Sequence, residues 1–145
     1  MFMRYFGFHV VLLATLAWTG CSPQDGGLQR AAVEGTVTVD GVPVEMGAIT
    51  FVPTNGTSGP ATGGKITDGK YKIQLSDGPV VGQYLVQIMG RRGTGKFKVE
   101  ELEGETVKTE IIEEMIPKKY RTSSELRSTI QTGTNVLDFD LSSDG

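Results

Sequence analysis

The sequence predicts an all-β protein, an antiparallel β-sandwich of about seven short strands in a single domain. The chain has 145 residues, a usual length for one domain. It contains 20 glycines and only 21% charged residues, a mixture typical of short strands and tight turns. Apolar and polar residues alternate in short segments separated by turn residues, whereas helical periodicity is nearly absent.

The first predicted strand alternates strictly, with valines on one face and polar residues on the other (Val33, Val37 and Val39 against Glu34, Thr36 and Thr38). Asp40-Gly41 predicts a turn, because Gly accepts positive φ and Asp bonds its own backbone. The next strand, Gly47 to Pro53, directs Ile49 and Phe51 inward. It ends at its proline, which has no N–H to donate to a sheet.

The middle of the chain continues this pattern. Thr54 to Gly64 is predicted to be a loop, and Lys65 to Thr67 a short strand leading into a turn at Asp68-Gly69. Two further strands flank a turn at Asp77-Gly78-Pro79. Their predicted inward residues are Tyr71, Ile73 and Leu75 in the first strand, and Tyr84, Val86 and Ile88 in the second.

The C-terminal segment predicts the last two strands. Leu126 and Ile130 point inward in the first of them, and Gly133-Thr134-Asn135 is predicted to turn the chain. The closing strand directs alternate residues inward (Leu137, Phe139 and Leu141) and the aspartates between them outward (Asp138 and Asp140).

An insertion is predicted at about residues 91–116, at one end of the sandwich. It carries seven Glu against five Lys or Arg and is longer than an ordinary connection between strands. The pattern admits either a helical turn near Glu110 to Met115 or two strands extended into a hairpin. In both cases the segment is expected to be partly ordered and to face solvent.

The first 20 residues are predicted to be a signal peptide. Arg4 precedes an apolar run, Phe6 to Trp18, which is shorter than the ~20 residues that a membrane-spanning helix requires. Thr19-Gly20-Cys21 then resembles the lipobox of bacterial lipoproteins, although Trp18 stands where that family prefers Leu. The resemblance implies that a peptidase recognises Thr19 and Gly20 and that Cys21 carries lipid; a secreted protein with an unmodified cysteine is the alternative.

Residues 21–31 are predicted to be the lipidated cysteine and a flexible tether, because Ser22 to Arg30 is polar and Gly-rich. A second acyl chain makes attachment to a membrane stable, whereas one chain alone binds only marginally. In lipoproteins of bacteria with two membranes, an Asp directly after the cysteine favours the inner membrane. Here Ser22 occupies that position, which by resemblance favours the outer membrane. The expected location is therefore the cell envelope, at the outer membrane facing the periplasm or the cell surface.

The β-sandwich domain, residues 32–145, resembles a planctomycete-type family of carboxypeptidase-regulatory-like, or transthyretin-like, lipoproteins. The resemblance rests on segments distributed over the domain (VEGTVTVDGVPVEMGAITFVP, GKITDGKYKI, GPVVGQYLVQIMG, IPKKY and NVLDFDL). It implies a seven-stranded Greek-key sandwich of the transthyretin type. It implies no particular activity, because function depends on a site and not on the fold.

The residues argue against an enzyme and against cofactor or metal binding. His9, the only histidine, lies in the signal segment, so the zinc and ureide-hydrolase chemistry found on related folds lacks its ligands. Asp138 and Asp140 share a strand face, but an exposed polar face explains them. The Asp-Gly pairs lack the ligand spacing of a calcium loop, and Arg91 to Lys96 (RRGTGK) is too short for a phosphate loop and is predicted to be a charged turn.

Two functions remain open at this point. The first is a lipid-anchored, non-enzymatic scaffold, adhesion or interaction module of the envelope, with an envelope protein or polysaccharide as partner. The second is a carbohydrate- or peptide-binding protein that uses loops at one end of the sandwich. Lys118, Lys119 and Tyr120 are the candidate ligand contacts, since Tyr71 and Tyr84 are predicted to be buried. The net charge of −3 argues against nucleic acid as a partner.

Overall fold

The structure, a computed structural model, describes residues 27–144 and consists of β-strands with one short 3₁₀ turn. The strands in chain order are β1 Ala32–Val39, β2 Val42–Pro43, β3 Met46–Thr54, β4 Thr62–Thr67, β5 Lys70–Ile73, β6 Gly82–Leu102, β7 Glu105–Glu114, β8 Arg127–Ile130, β9 Thr134–Val136 and β10 Phe139–Leu141, with the 3₁₀ turn at Lys118–Tyr120. The predicted all-β class is confirmed.

The strands form one connected open sheet in the order β10-β1-β5-β4-β3-β6-β7. The short strands β2 and β9 pair with β1, and β8 pairs with β6. All pairings between these strands are antiparallel except those of β1 with β9 and β10, which are parallel. Strands lie at each of the seven predicted places, and β2, β7 and β9 are additional to the prediction.

The core is formed by the residues that alternation places on the inner face of the sheet. Three groups of residues are buried: the valines of β1, Ile49 and Phe51 of β3, and Tyr84, Val86 and Ile88 of β6. Phe51 packs edge-on against Tyr84 at 6.2 Å and obliquely against Tyr71 at 6.5 Å. The two buried tyrosines satisfy their hydroxyls by donating to the carbonyls of Val80 and Leu137.

Two local predictions were wrong. Leu75 is 56% exposed, because β5 ends at Ile73 and the chain turns immediately, with Gly78 N–H bonded to the Leu75 carbonyl. Thr134 and Asn135, predicted as part of a turn, pair with β1 as β9. At Ala31 the chain is already fully buried, and Arg30 bonds the Gly78 carbonyl, so packing begins within the last residues of the segment expected to be a tether.

The predicted insertion is a β-hairpin. β6 runs for 21 residues: it pairs with β3 up to Arg91 and then continues past the end of β3 with only β7 beside it. β-Branched and aromatic residues in both strands favour this extended conformation. Glu103 and Gly104, with φ of 54° and 86°, form the two-residue turn at the tip. The helical turn considered for Glu110 to Met115 is therefore wrong. We call residues 92–113 the arm.

Candidate interaction surface

The predicted lipid-attachment residues Thr19, Gly20 and Cys21 lie outside the described residues. Across residues 27–144, no helix is long and apolar enough to span a bilayer. Lipidation of Cys21 therefore stays a prediction from the sequence.

The three candidate ligand contacts are adjacent on the 3₁₀ turn that follows the arm. Lys118 is exposed, whereas Lys119 and Tyr120 are half-buried. The Lys119 ammonium lies 5.0 Å from the centre of the Tyr120 ring and donates to the Asp144 carbonyl. The ring packs against the core, and its hydroxyl accepts the Ser142 N–H at 3.4 Å. Tyr120 thus serves to fix the C-terminal segment and offers little open face for stacking on a ligand, which weakens the carbohydrate alternative.

The outward aspartates of the last strand are tied to β1. Asp138 accepts from both the hydroxyl and the N–H of Thr36 at 2.7 Å, and Asp140 accepts from the Thr38 hydroxyl at 2.6 Å. The hydrogen bonds from Thr36 lower the pKa of Asp138, so this carboxylate stays charged at neutral pH. The pair therefore connects two parallel strands, which accounts for both residues without catalysis.

Two of the three predicted Asp-Gly turns have positive φ at both residues, as two-residue hairpin turns require. They are Asp40-Gly41 and Asp68-Gly69. Asp40 also accepts the Ser143 N–H at 3.0 Å, and hydrogen bonds from the side chain and the N–H of Ser143 lower the pKa of Asp40. Within residues 27–144, no group of three or more potential metal-binding side chains comes together.

The charged segment Arg91 to Lys96 forms a bulge in β6. Residues 94–96 lie opposite the single residue Ile111, and the Thr94 hydroxyl donates to the Ile111 carbonyl at 2.7 Å. The Gly95 N–H donates to a carboxylate oxygen of Glu110 at 2.9 Å. A glutamate already occupies this backbone donor, so the bulge does not present a phosphate-binding loop, and the prediction of a charged turn is replaced by a bulged strand.

The arm has apolar residues on both faces, and all of its residues beyond Thr94 are exposed. The register places Phe97, Val99 and Ile112 on the outer face of the sheet. Met46 and Met89, at the base of the arm, share this face. We call these five residues the apolar stripe; their exposed fractions are 58%, 54%, 50%, 52% and 52% in the order given.

A shallow depression of about 440 Å³ lies on the outer face at the base of the arm. It is lined by Met46, Met89, Ile112 and the stems of Arg91 and Glu114. Gly47 also lines it, and the backbones pack closely at this point, since a Cβ on Gly47 would lie 2.3 Å from the Met89 carbonyl oxygen. Methionine and aromatic side chains at such density are typical of the central part of protein interfaces.

The opposite face of the arm is exposed as well. Val107, Ile111 and Leu102 are 39%, 45% and 57% exposed, because the arm projects past the core that would otherwise cover them. Two ion pairs, Arg92–Glu113 at 2.6 Å and Lys98–Glu100 at 2.7 Å, lie along the ribbon. Solvent-exposed pairs of this kind stabilise a hairpin by little.

The sequence located this segment but did not identify its structure. The segment was expected to face solvent, and the exposure of its apolar residues confirms this. The signal for the hairpin was present in Glu103-Gly104, a turn-compatible pair followed by a segment rich in β-branched residues. The bulge hid it, because the inserted residues shift the alternation between Gly93 and Phe97.

No protein-family model matches the chain, and neither a curated protein nor a solved structure shows significant similarity to it.

Proposed function

We propose that the protein is a lipid-anchored, non-enzymatic interaction module of the cell envelope that binds a protein partner through the arm. In this proposal the strands form a seven-stranded Greek-key sandwich of the transthyretin type, and the arm is an addition to it. The lipobox-like Thr19-Gly20-Cys21 supports the anchor, and the resemblance of residues 32–145 to the carboxypeptidase-regulatory-like lipoproteins supports the fold.

The exposure of the arm on both faces is the observation that carries this proposal. An isolated two-stranded hairpin is marginally stable in water, and exposed contiguous apolar surface marks interaction sites. Apolar residues on an arm that covers no core gain burial only from another molecule. The absence of histidine from residues 21–145 and the engagement of Asp138 and Asp140 by threonines support a binding role over a catalytic one.

Site-specific photo-crosslinking in intact cells tests this function. A photoreactive amino acid replaces Val99 on the arm, and a matched variant carries it at Val136, which is 66% exposed and lies outside the arm. We expect protein adducts from position 99 and none above background from position 136. Equal adduct formation at the two positions, or none at either, would contradict the proposal.

A further inference from the structure

We infer that the partner of the arm is a second copy of this chain, joined by antiparallel pairing of β7 with β7 about a twofold axis at Thr109. This inference rests on the proposed function and specifies its partner. Within residues 27–144, β7 pairs only with β6, so its other edge presents unpaired backbone groups to solvent. Such an edge is a template for another strand.

The turn at the tip decides which backbone groups face outward. Leu102 and Glu105 close a two-residue turn, so Glu105 bonds inward to β6. The Ile111 carbonyl and the Met115 N–H also bond inward, to Thr94 and Gly90. Odd-numbered residues of β7 therefore bond inward, and even-numbered residues direct their N–H and C=O groups to the free edge.

Because only even-numbered residues direct their backbone groups to the free edge, they must lie opposite even-numbered residues of the second copy. This condition leaves few registers for a symmetric β7–β7 pair. Centring the pair on Lys108 opposes two lysines, and centring it on Glu110 opposes two glutamates. Centring the pair on Thr109 places Lys108 of each copy opposite Glu110 of the other, which gives two pairs of opposite charge. Like charges directly opposite destabilise a sheet and opposite charges stabilise it, so of these three registers charge favours the one centred on Thr109.

The same register also matches the apolar residues. Val107 lies opposite Ile111 of the second copy, twice, which buries four exposed side chains on one face. Thr106 lies opposite Ile112 on the other face. At the ends Glu105 meets Glu113 of the second copy, but Glu113 already pairs with Arg92. This register pairs residues 105–113, nearly all of the strand.

The edge of β6 is less suited to this role. Its part of the arm is interrupted by the bulge between Gly93 and Phe97, which leaves only Phe97 to Leu102 as regular strand. Bulges bend a strand and end pairing. β7 contains no inserted residue and is extended throughout its ten residues, and Glu105 to Glu110 pair continuously with β6.

A cysteine placed at the twofold axis tests this register in the full-length chain. Residue 109 of one copy would face residue 109 of the other at a non-hydrogen-bonded position, with Cα atoms about 4.5 Å apart, within reach of a disulfide. Membranes carrying Thr109→Cys are oxidised mildly and compared with wild type, which retains Cys21, and with Thr106→Cys. In the control the two introduced thiols would be separated by six residues along the strands, roughly 20 Å.

We expect a covalent dimer from Thr109→Cys and only the wild-type background from Thr106→Cys.

Exchange of the charges at residues 108 and 110 provides the second measurement. Lys108→Glu opposes like charges twice and should weaken the dimer by about tenfold or more, whereas Lys108→Glu with Glu110→Lys should restore it. The double variant also loses the Glu110–Gly95 hydrogen bond, so its recovery cannot come from repair of the arm itself.

Dimer yield from Thr109→Cys no higher than from Thr106→Cys, or no recovery in the double variant, would overturn the inference. If position 99 still gives photo-adducts in that case, the arm binds another protein and the proposed function stands. If position 99 gives none, both fail together.

Discussion

Asp138 shows how single residues hold the first and last strands together. Its carboxylate accepts two hydrogen bonds from Thr36, one from the hydroxyl and one from the N–H. These bonds favour the charged form in the folded state and so lower its pKa. A carboxylate with a lowered folded pKa stabilises the protein above its unfolded pKa, and this stabilisation is lost as the pH falls through the folded value.

Replacing Asp138 by Asn should therefore lower the melting temperature at pH 7. The difference from wild type should shrink as the pH falls below the ordinary aspartate value of 3.8, because wild type then loses the same charge. Thermal unfolding followed by circular dichroism between pH 2 and pH 7 measures this difference. A difference that is constant over the whole range would show that the charge of Asp138 contributes nothing.

Phe51 is the residue on which the aromatic core converges. It is fully buried between Tyr71 and Tyr84. Phe51→Ala should lower the free energy of unfolding by about 3–5 kcal/mol, through lost burial and the cavity left behind. The matched control is Phe97→Ala on the arm, where the ring is 58% exposed and the expected change is within about 0.5 kcal/mol. Urea denaturation measures both variants. A similar loss of unfolding free energy in the two would contradict the assignment of Phe51 to the core and of Phe97 to an exposed position.

Residue alternation predicted the core well and failed where strands end. Val33, Ile49, Tyr84 and Ile130 are buried as predicted, because a half-buried strand forces alternate side chains inward. Leu75 continues the same alternation in the sequence but is exposed, since β5 stops two residues earlier. Alternation predicts which side chains of a strand point inward but not where the strand ends. The end of β5 is set by the hydrogen bonds of the turn that follows it.

At the scale of elements, the arm continues the sheet without sharing its core. The sequence predicted an insertion at about residues 91–116, which contains the arm, but left its structure open, because charged and apolar residues mix on both faces. Neither face of the arm is covered by the core. Its sequence therefore lacks the alternation of polar and apolar residues that marks a half-buried strand. A hairpin exposed on both faces escapes prediction by alternation for this reason.

Removal of the arm should leave the domain intact. Arg92 and Glu113 are opposite residues joined by an ion pair, so Asn-Gly can replace residues 93–112 as a two-residue turn. The melting temperature should change by only a few degrees, because no core residue is removed. A loss of cooperative unfolding, or a much larger drop, would show that the arm stabilises the sheet. The Phe51→Ala variant provides the destabilised reference for the same assay.

At the scale of the whole molecule, the sequence beyond the described residues predicts attachment to a membrane. Cys21→Ala should release the protein from the membrane fraction into the soluble fraction, because the acyl chains would have no attachment point. Mass spectrometry of the wild-type protein should find an acylated N-terminal Cys21. Equal membrane partition of the two proteins would exclude lipidation as the anchor.

We propose that the arm serves association and is not required for folding. The most direct measurement compares the full-length protein with the variant in which Asn-Gly replaces residues 93–112, both extracted from membranes in mild detergent. Sedimentation velocity gives the mass of protein in each complex. We predict an assembly of at least two chains, or of one chain with a partner, for the intact protein. For the variant we predict a single chain, with a melting temperature within a few degrees of the intact protein. The same assembly mass for both proteins would contradict the claim.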